Sequence, residues 1–188
     1  MHRTMISAAS RSSFVATAAS LMILALLLSD LRGTDHSDGL ITGMSIGRIR
    51  LGATKAAIQQ GYPHYRVIDA EIPLEAEERS AVVQVQRAAE ILVTAEVSEA
   101  GRAWRITTEH PMFKTARGVG VSTTFDALVR AHGKPNSFEF PEGALVALYR
   151  FPNGVVAFQL DRGFDDVFFK KASPPAAARV IRVVVMEP

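Results

Sequence analysis

Beyond Ile41, apolar and polar residues alternate in short runs, the period-two signature of strands buried on one face. Residues 81–86 (AVVQVQ), 90–97 (EILVTAEV) and 103–108 (AWRITT) make one series, and residues 144–151, 155–160 and 179–186 (RVIRVVVM) a second. Residues 98–101 read as a turn inside the first series. Pro152-Asn153-Gly154 separates two apolar runs of the second, and Asn-Gly in that position is a strong hairpin signal. Ahead of each series the pattern changes. Ile58 and Leu128 each stand four residues after a threonine, Thr54 or Thr124, whose hydroxyl suits the free N–H groups of a helix start. Both predicted helices stop at Gly-x-Pro (Gly61-Tyr62-Pro63 and Gly133-Lys134-Pro135), because glycine permits a left-handed end and proline cannot continue the helix.

The two series are in register. Residues 47–58 (GRIRLGATKAAI) superpose on residues 117–128 (RGVGVSTTFDAL) at an offset of 70. That offset matches Ile49 with Val119, Leu51 with Val121, Thr54 with Thr124, Ala57 with Ala127 and Ile58 with Leu128, and sets Ser122 where the first half has Gly52. An internal match of this kind predicts one supersecondary unit used twice. The expected fold class is therefore α+β: two tandem repeats, residues 41–116 and 117–188, each a helix followed by a three-stranded antiparallel meander. The repeats form a single module, and a hydrophobic helix is expected ahead of them.

That N-terminal element has a different pattern. Residues 12–28 (SSFVATAASLMILALLL) carry no charge, and Arg3 and Arg11 precede them without an acid. These are the basic and apolar regions of an export signal. Residues 29–33 (SDLRG) lack a clear small-x-small cleavage site, so residues 1–33 are expected to act as a signal peptide or as a signal anchor. The 17 apolar-run residues reach about 25 Å as a helix, against a hydrocarbon core of about 30 Å, which leaves both fates open. Either fate sends the module outward, to a periplasmic or exported location, tethered to the inner membrane if the segment is kept. Residues 34–40 (TDHSDGL) read as a polar linker.

Composition narrows the function classes. Hydrophobic residues are 48% of the 188-residue chain and charged residues 21%, which is a globular composition, not a disordered one. The net charge of +2 comes from scattered residues, with Lys170-Lys171 the one adjacent basic pair, so no nucleic-acid partner is expected. The chain has no cysteine, which excludes disulfides, thiolate catalysis and an N-terminal lipidated cysteine.

Few residues carry recognisable chemistry. His64, His110 and His132 show no metal-ligand spacing, and no metal or cofactor is expected. Asp161, Asp165 and Asp166 with Arg162 lack the glycine and glutamate positions of a calcium loop. Ser122, Thr123 and Thr124 sit in no nucleophile elbow, and capping accounts for them. Gly118-Val119-Gly120 lacks the third glycine of a dinucleotide fingerprint. The unusual stretch is residues 163–171 (GFDDVFFKK), which places Phe164, Phe168 and Phe169 in a loop-like region. Aromatics concentrate at binding hot spots, so these three, with Trp104 and Tyr149 and with Tyr62 and Tyr65 nearby, are the candidate partner contacts.

The pattern Gly-x-Ile-x-Leu-Gly-x-Thr leading into a short helix that ends at Gly-x-Pro, with strands after it, resembles the repeat of the beta-lactamase inhibitory protein. It is also similar to the small outer-membrane lipoproteins that assist barrel assembly. The stretch 106–128, with Pro111, Phe113, Thr115 and Gly118-Val119-Gly120, resembles uncharacterised secreted proteobacterial proteins. The resemblance implies a binder or scaffold with a protein partner in the envelope, not an enzyme. The alternative is a small periplasmic hydrolase or ligand-binding enzyme that uses Asp161, Asp165 or His132, which would have to meet in one pocket.

Overall fold

The computed structural model describes residues 36–73, 79–151, 153–163 and 173–188. Residues 1–33, expected to act as a signal peptide or signal anchor, and the aromatic stretch with Phe164, Asp165, Asp166, Phe168 and Phe169 lie outside the described residues. No helix among the described residues is long and apolar enough to cross a membrane.

Two short helices form where the threonines cap them. Helix α1 (Lys55–Gly61) starts at Thr54 and α2 (Phe125–His132) at Thr124, and each threonine side chain accepts from the backbone N–H three residues on, Ala57 or Ala127, at 3.3 Å. The residue before the cap region is also shared. Gly52 and Ser122 both have positive φ, 81° and 71°. Their N–H groups donate to the carbonyls of Ala103 and Val180, while Ala103 and Val180 donate back to Ala53 and Thr123. Each helix start is thus bonded to a strand of its own half.

The strands are β1 (Leu40–Ile41), β2 (Ser45–Ile46), β3 (Ile49–Arg50), β4 (Arg66–Pro73), β5 (Arg79–Arg87), β6 (Glu90–Val97), β7 (Ala103–Thr108), β8 (Lys114–Thr115), β9 (Ser137–Glu139), β10 (Ala144–Phe151), β11 (Gly154–Gly163) and β12 (Val180–Met186). They build an eight-stranded sheet in the order β4-β5-β6-β7-β12-β11-β10-β9 and a four-stranded sheet in the order β3-β2-β1-β8. Every pairing in the larger sheet is antiparallel. The first half supplies β4 to β7 and the second β9 to β12, running in opposite spatial directions from the central β7·β12 pair.

This corrects the α+β expectation: among the described residues the fold is mostly β, with two short α-helices, and each half contributes four strands to one shared sheet. The reason is physical. Glycine and proline stop the helices after seven and eight residues, and backbone hydrogen bonding across β7·β12 merges the two meanders. Edge strands β4 and β9 extend each meander by one.

The main core lies on the sheet face that meets both helices and the small sheet. Phe113, Ile46, Ile49, Ile106, Leu128, Leu145 and Phe158 are all 1% exposed or less there. Full burial of such a side chain contributes about 1.5–3 kcal/mol relative to exposure. A separate cluster on the other sheet face consists of strand residues alone: Val146, Leu148, Val155, Ala157 and Val184, with Met186 against them.

Candidate functional site

Two concave features could bind something, one on each side of the larger sheet. The first is a groove of about 390 Å³ on the face opposite the helices. Its floor is Val146, Leu148, Ala157, Val184 and Met186, contributed by β10, β11 and β12. A bulge shapes one wall. Glu96 pairs with Arg105 and Val97 with Ala103, so Trp104 is the extra residue, and both Trp104 and Arg105 reach the groove. Trp104 is 41% exposed.

Charges rim the groove. Arg105 lies 3.4 Å from the mostly buried Glu96, whose carboxyl is pushed up by desolvation and pulled partway back by Arg105. The Arg105 Nε is buried without a hydrogen-bond partner. Arg182 reaches Glu109 at 2.6 Å, and Glu139 and Glu142 stand on the opposite wall. An apolar floor, a polar rim and a partly exposed tryptophan are the ordinary anatomy of a protein-binding patch.

The second feature is a cleft of about 400 Å³ where the C-terminal end of α2 meets β1 and β8. His132, the last residue of α2, is packed among aromatics. Its ring centroid lies 5.9 Å from Tyr149, 6.4 Å from Phe151 and 6.4 Å from Phe158. His132 Nε2 is 3.1 Å from the Thr115 hydroxyl, which itself accepts from Val119 N at 3.2 Å. Desolvation holds the imidazole below its usual range, and the nearby Arg117 guanidinium lowers it further. Arg117, exposed in the turn after β8, donates to the Ala131 carbonyl at the helix end.

The predicted contact residues do not share one surface. Trp104 is on the groove side. Tyr149 is 4% exposed on the core side, where its hydroxyl donates to the Gly133 carbonyl at 3.0 Å and burial pushes its pKa up to about 12. Tyr62 is likewise buried, its hydroxyl accepting from Arg48 N at 3.0 Å, and its ring meets Tyr65 edge-on at 5.4 Å. Phe164, Phe168 and Phe169 lie outside the described residues.

The residues of the hydrolase alternative are not brought together. Asp161 accepts from Arg179 N at 2.8 Å, and Arg179 contacts the Ser122 carbonyl, at the opposite end of α2 from His132. Asp165 lies outside the described residues. His110 serves a turn: its Nδ1 accepts from Met112 N at 3.2 Å and its Nε2 is 3.0 Å from Glu90.

Comparison with known proteins bears on the fold. The chain shares its fold with the uncharacterized protein yfeY from Escherichia coli. The TM-score to that crystal structure is 0.57 at 13% identity, over 79% of this chain and 99% of that one. No family model and no curated protein matches the chain.

Sequence reasoning missed most of the residues in both features. A signal for the groove existed: residues 144–149 (ALVALY) and 183–186 (VVVM) are apolar at both parities, which means strands buried on both faces. The cleft had no such signal, because Thr42, Thr115, Arg117, His132 and Phe151 come from separate segments with no common spacing.

Proposed function

We propose that the chain is a non-enzymatic binding module of the cell envelope, and that it holds a protein partner in the groove between Trp104 and Glu139. The single observation that carries this reading is the apolar floor of that groove on the sheet face away from the helices, rimmed by Arg105, Arg182, Glu139 and Glu142. The export-like pattern of residues 1–33 supports the location, and the resemblance of the repeat to that of the beta-lactamase inhibitory protein supports a binding role. Trp104 is the anchor. It offers a large rigid surface, and the bulge leaves it lining the groove beside the apolar floor.

The test is site-specific photocrosslinking in cells of the source organism. A photoreactive phenylalanine replaces Trp104 in the full-length chain, and a control chain carries it at Ile91, which is 47% exposed. The expected result is a discrete protein adduct from position 104, absent from position 91, that disappears when Arg182→Glu reverses the rim charge. Identical adducts from both positions, or an adduct indifferent to Arg182→Glu, would overturn the proposal.

A further inference from the structure

The cleft at the end of α2 has a chemistry unlike that of the groove, and it is independent of the proposed partner. Its polar lining is made of donors without a matching acid. Among its described lining residues there is no Asp or Glu, while Arg117 and His132 stand together. Arg117 uses one guanidinium nitrogen on the Ala131 carbonyl, and the rest of its fork has no partner among the described residues.

The imidazole is arranged as a donor too. The Thr115 oxygen accepts from Val119 N and carries one proton of its own; in the tautomer assigned to the liganded cleft that proton goes to His132 Nε2 and the ring proton sits on Nδ1. That Nδ1 has no hydrogen-bond partner among the described residues, and it is not among the buried orphaned atoms, so it reaches solvent. The remaining walls are Leu40, Ile41, Ala116, Phe151 and Val156. Phe151 is 37% exposed, so its ring forms a wall that is not absorbed into the core.

We infer that this cleft binds a small carboxylate carrying a short aliphatic or aromatic tail, with Arg117 and His132 holding the carboxylate and Phe151 covering the tail. A guanidinium fork matches a carboxylate in geometry as well as charge. A neutral imidazole N–H beside it adds a second donor without a second cation to desolvate. The size also fits, since a site of about 400 Å³ sits at the small end of ligand pockets.

Equilibrium dialysis of radiolabelled octanoate against the full-length chain in lipid nanodiscs tests it, with uptake by empty nanodiscs subtracted. The expected result is saturable binding of one octanoate per chain, with octanamide competing about tenfold more weakly because it lacks the charge. Arg117→Gln should weaken octanoate by about the same factor, Phe151→Ala should weaken octanoate and octanamide alike, and Arg182→Gln in the groove should change nothing. Non-saturable uptake, equal competition by octanamide, or full binding by Arg117→Gln would overturn the inference. Arg117 is exposed, so its variant should keep the parent's melting curve, and that curve is recorded for every chain in the series.

Discussion

Gly52 and Ser122 occupy equivalent places in the two halves and share a left-handed backbone, so exchanging their residue types tests the repeat directly. In Gly52→Ala the new Cβ would meet no atom within 4 Å, and its cost is therefore the backbone conformation alone. A non-glycine residue in the left-handed region costs roughly 1–2 kcal/mol, and the stiffer unfolded chain returns about 0.4–1 kcal/mol of that. The expected net loss is about 0.5–1 kcal/mol. Ser122→Gly reverses the terms: its φ of 71° becomes unstrained, and its hydrogen bonds among the described residues are made by the backbone and are kept. The expected gain is again about 0.5–1 kcal/mol. For a chain of this size that corresponds to a melting shift of about 2–4 °C per kcal/mol, read by circular dichroism and checked by the urea midpoint at unchanged slope. If Gly52→Ala is as stable as the parent, or Ser122→Gly is less stable, the two positions do not share the strained role assigned to them.

Two further effects follow from the cleft and its walls. In Gly154→Ala the added Cβ would collide with the Gly43 carbonyl oxygen, so the β10–β11 hairpin must retreat from the β1–β2 turn; urea unfolding should show a loss of about 1–3 kcal/mol. The pH dependence has a definite sign. The His132 pKa in the folded chain is held below the unfolded value of 6.5, so the unfolded chain takes up the proton first and stability falls as pH drops from about 6.5 toward the folded value. Melting temperatures of the parent and of His132→Gln between about pH 7 and 5 check this: the parent should show the steeper decline.

Much of the local structure was legible because it depends on residues close in sequence. The caps at Thr54 and Thr124 and the hairpin across Phe151 and Gly154 need only a short window of chain. What reached across the chain was not legible. The pairing of β7 with β12 joins residues nearly eighty apart, Val185 with Ile106 for example, and this pairing turns two meanders into one mostly-β sheet. Strand β4 did carry a period-two signal, with Ile68, Ala70 and Ile72 alternating with Asp69 and Glu71, and the expectation of three strands per half left it out. The two-residue strands β1, β2, β3 and β8 are too short to show any period, and β1 and β8 frame the cleft. Tyr149 misled for a related reason: an aromatic on a strand reads alike on either face until a neighbouring strand fixes which face is the core.

The two halves repeat a backbone pattern but not a surface, and that difference decides where binding can occur. On the face away from the helices, β5, β6 and β7 present Gln84, Thr94 and Thr107 in the row that the register carries onward into Val184, Ala157 and Leu148 of the second half, while the apolar residues of the first half on that face, Ile68 and Val82, stand farther out on β4 and β5. Repetition alone would have produced matching faces. Residues that pack against the helices are constrained in both halves by the shared core, whereas the opposite face answers to no common packing demand and is free to diverge. A continuous apolar row across β12, β11 and β10, set against polar residues at the matching places of β5, β6 and β7, is therefore unexplained by the fold. Trp104 and Arg105 stand beside the seam where that row begins, on the bulge that sets both side chains toward the groove, and this makes the seam the natural edge of a recognition surface.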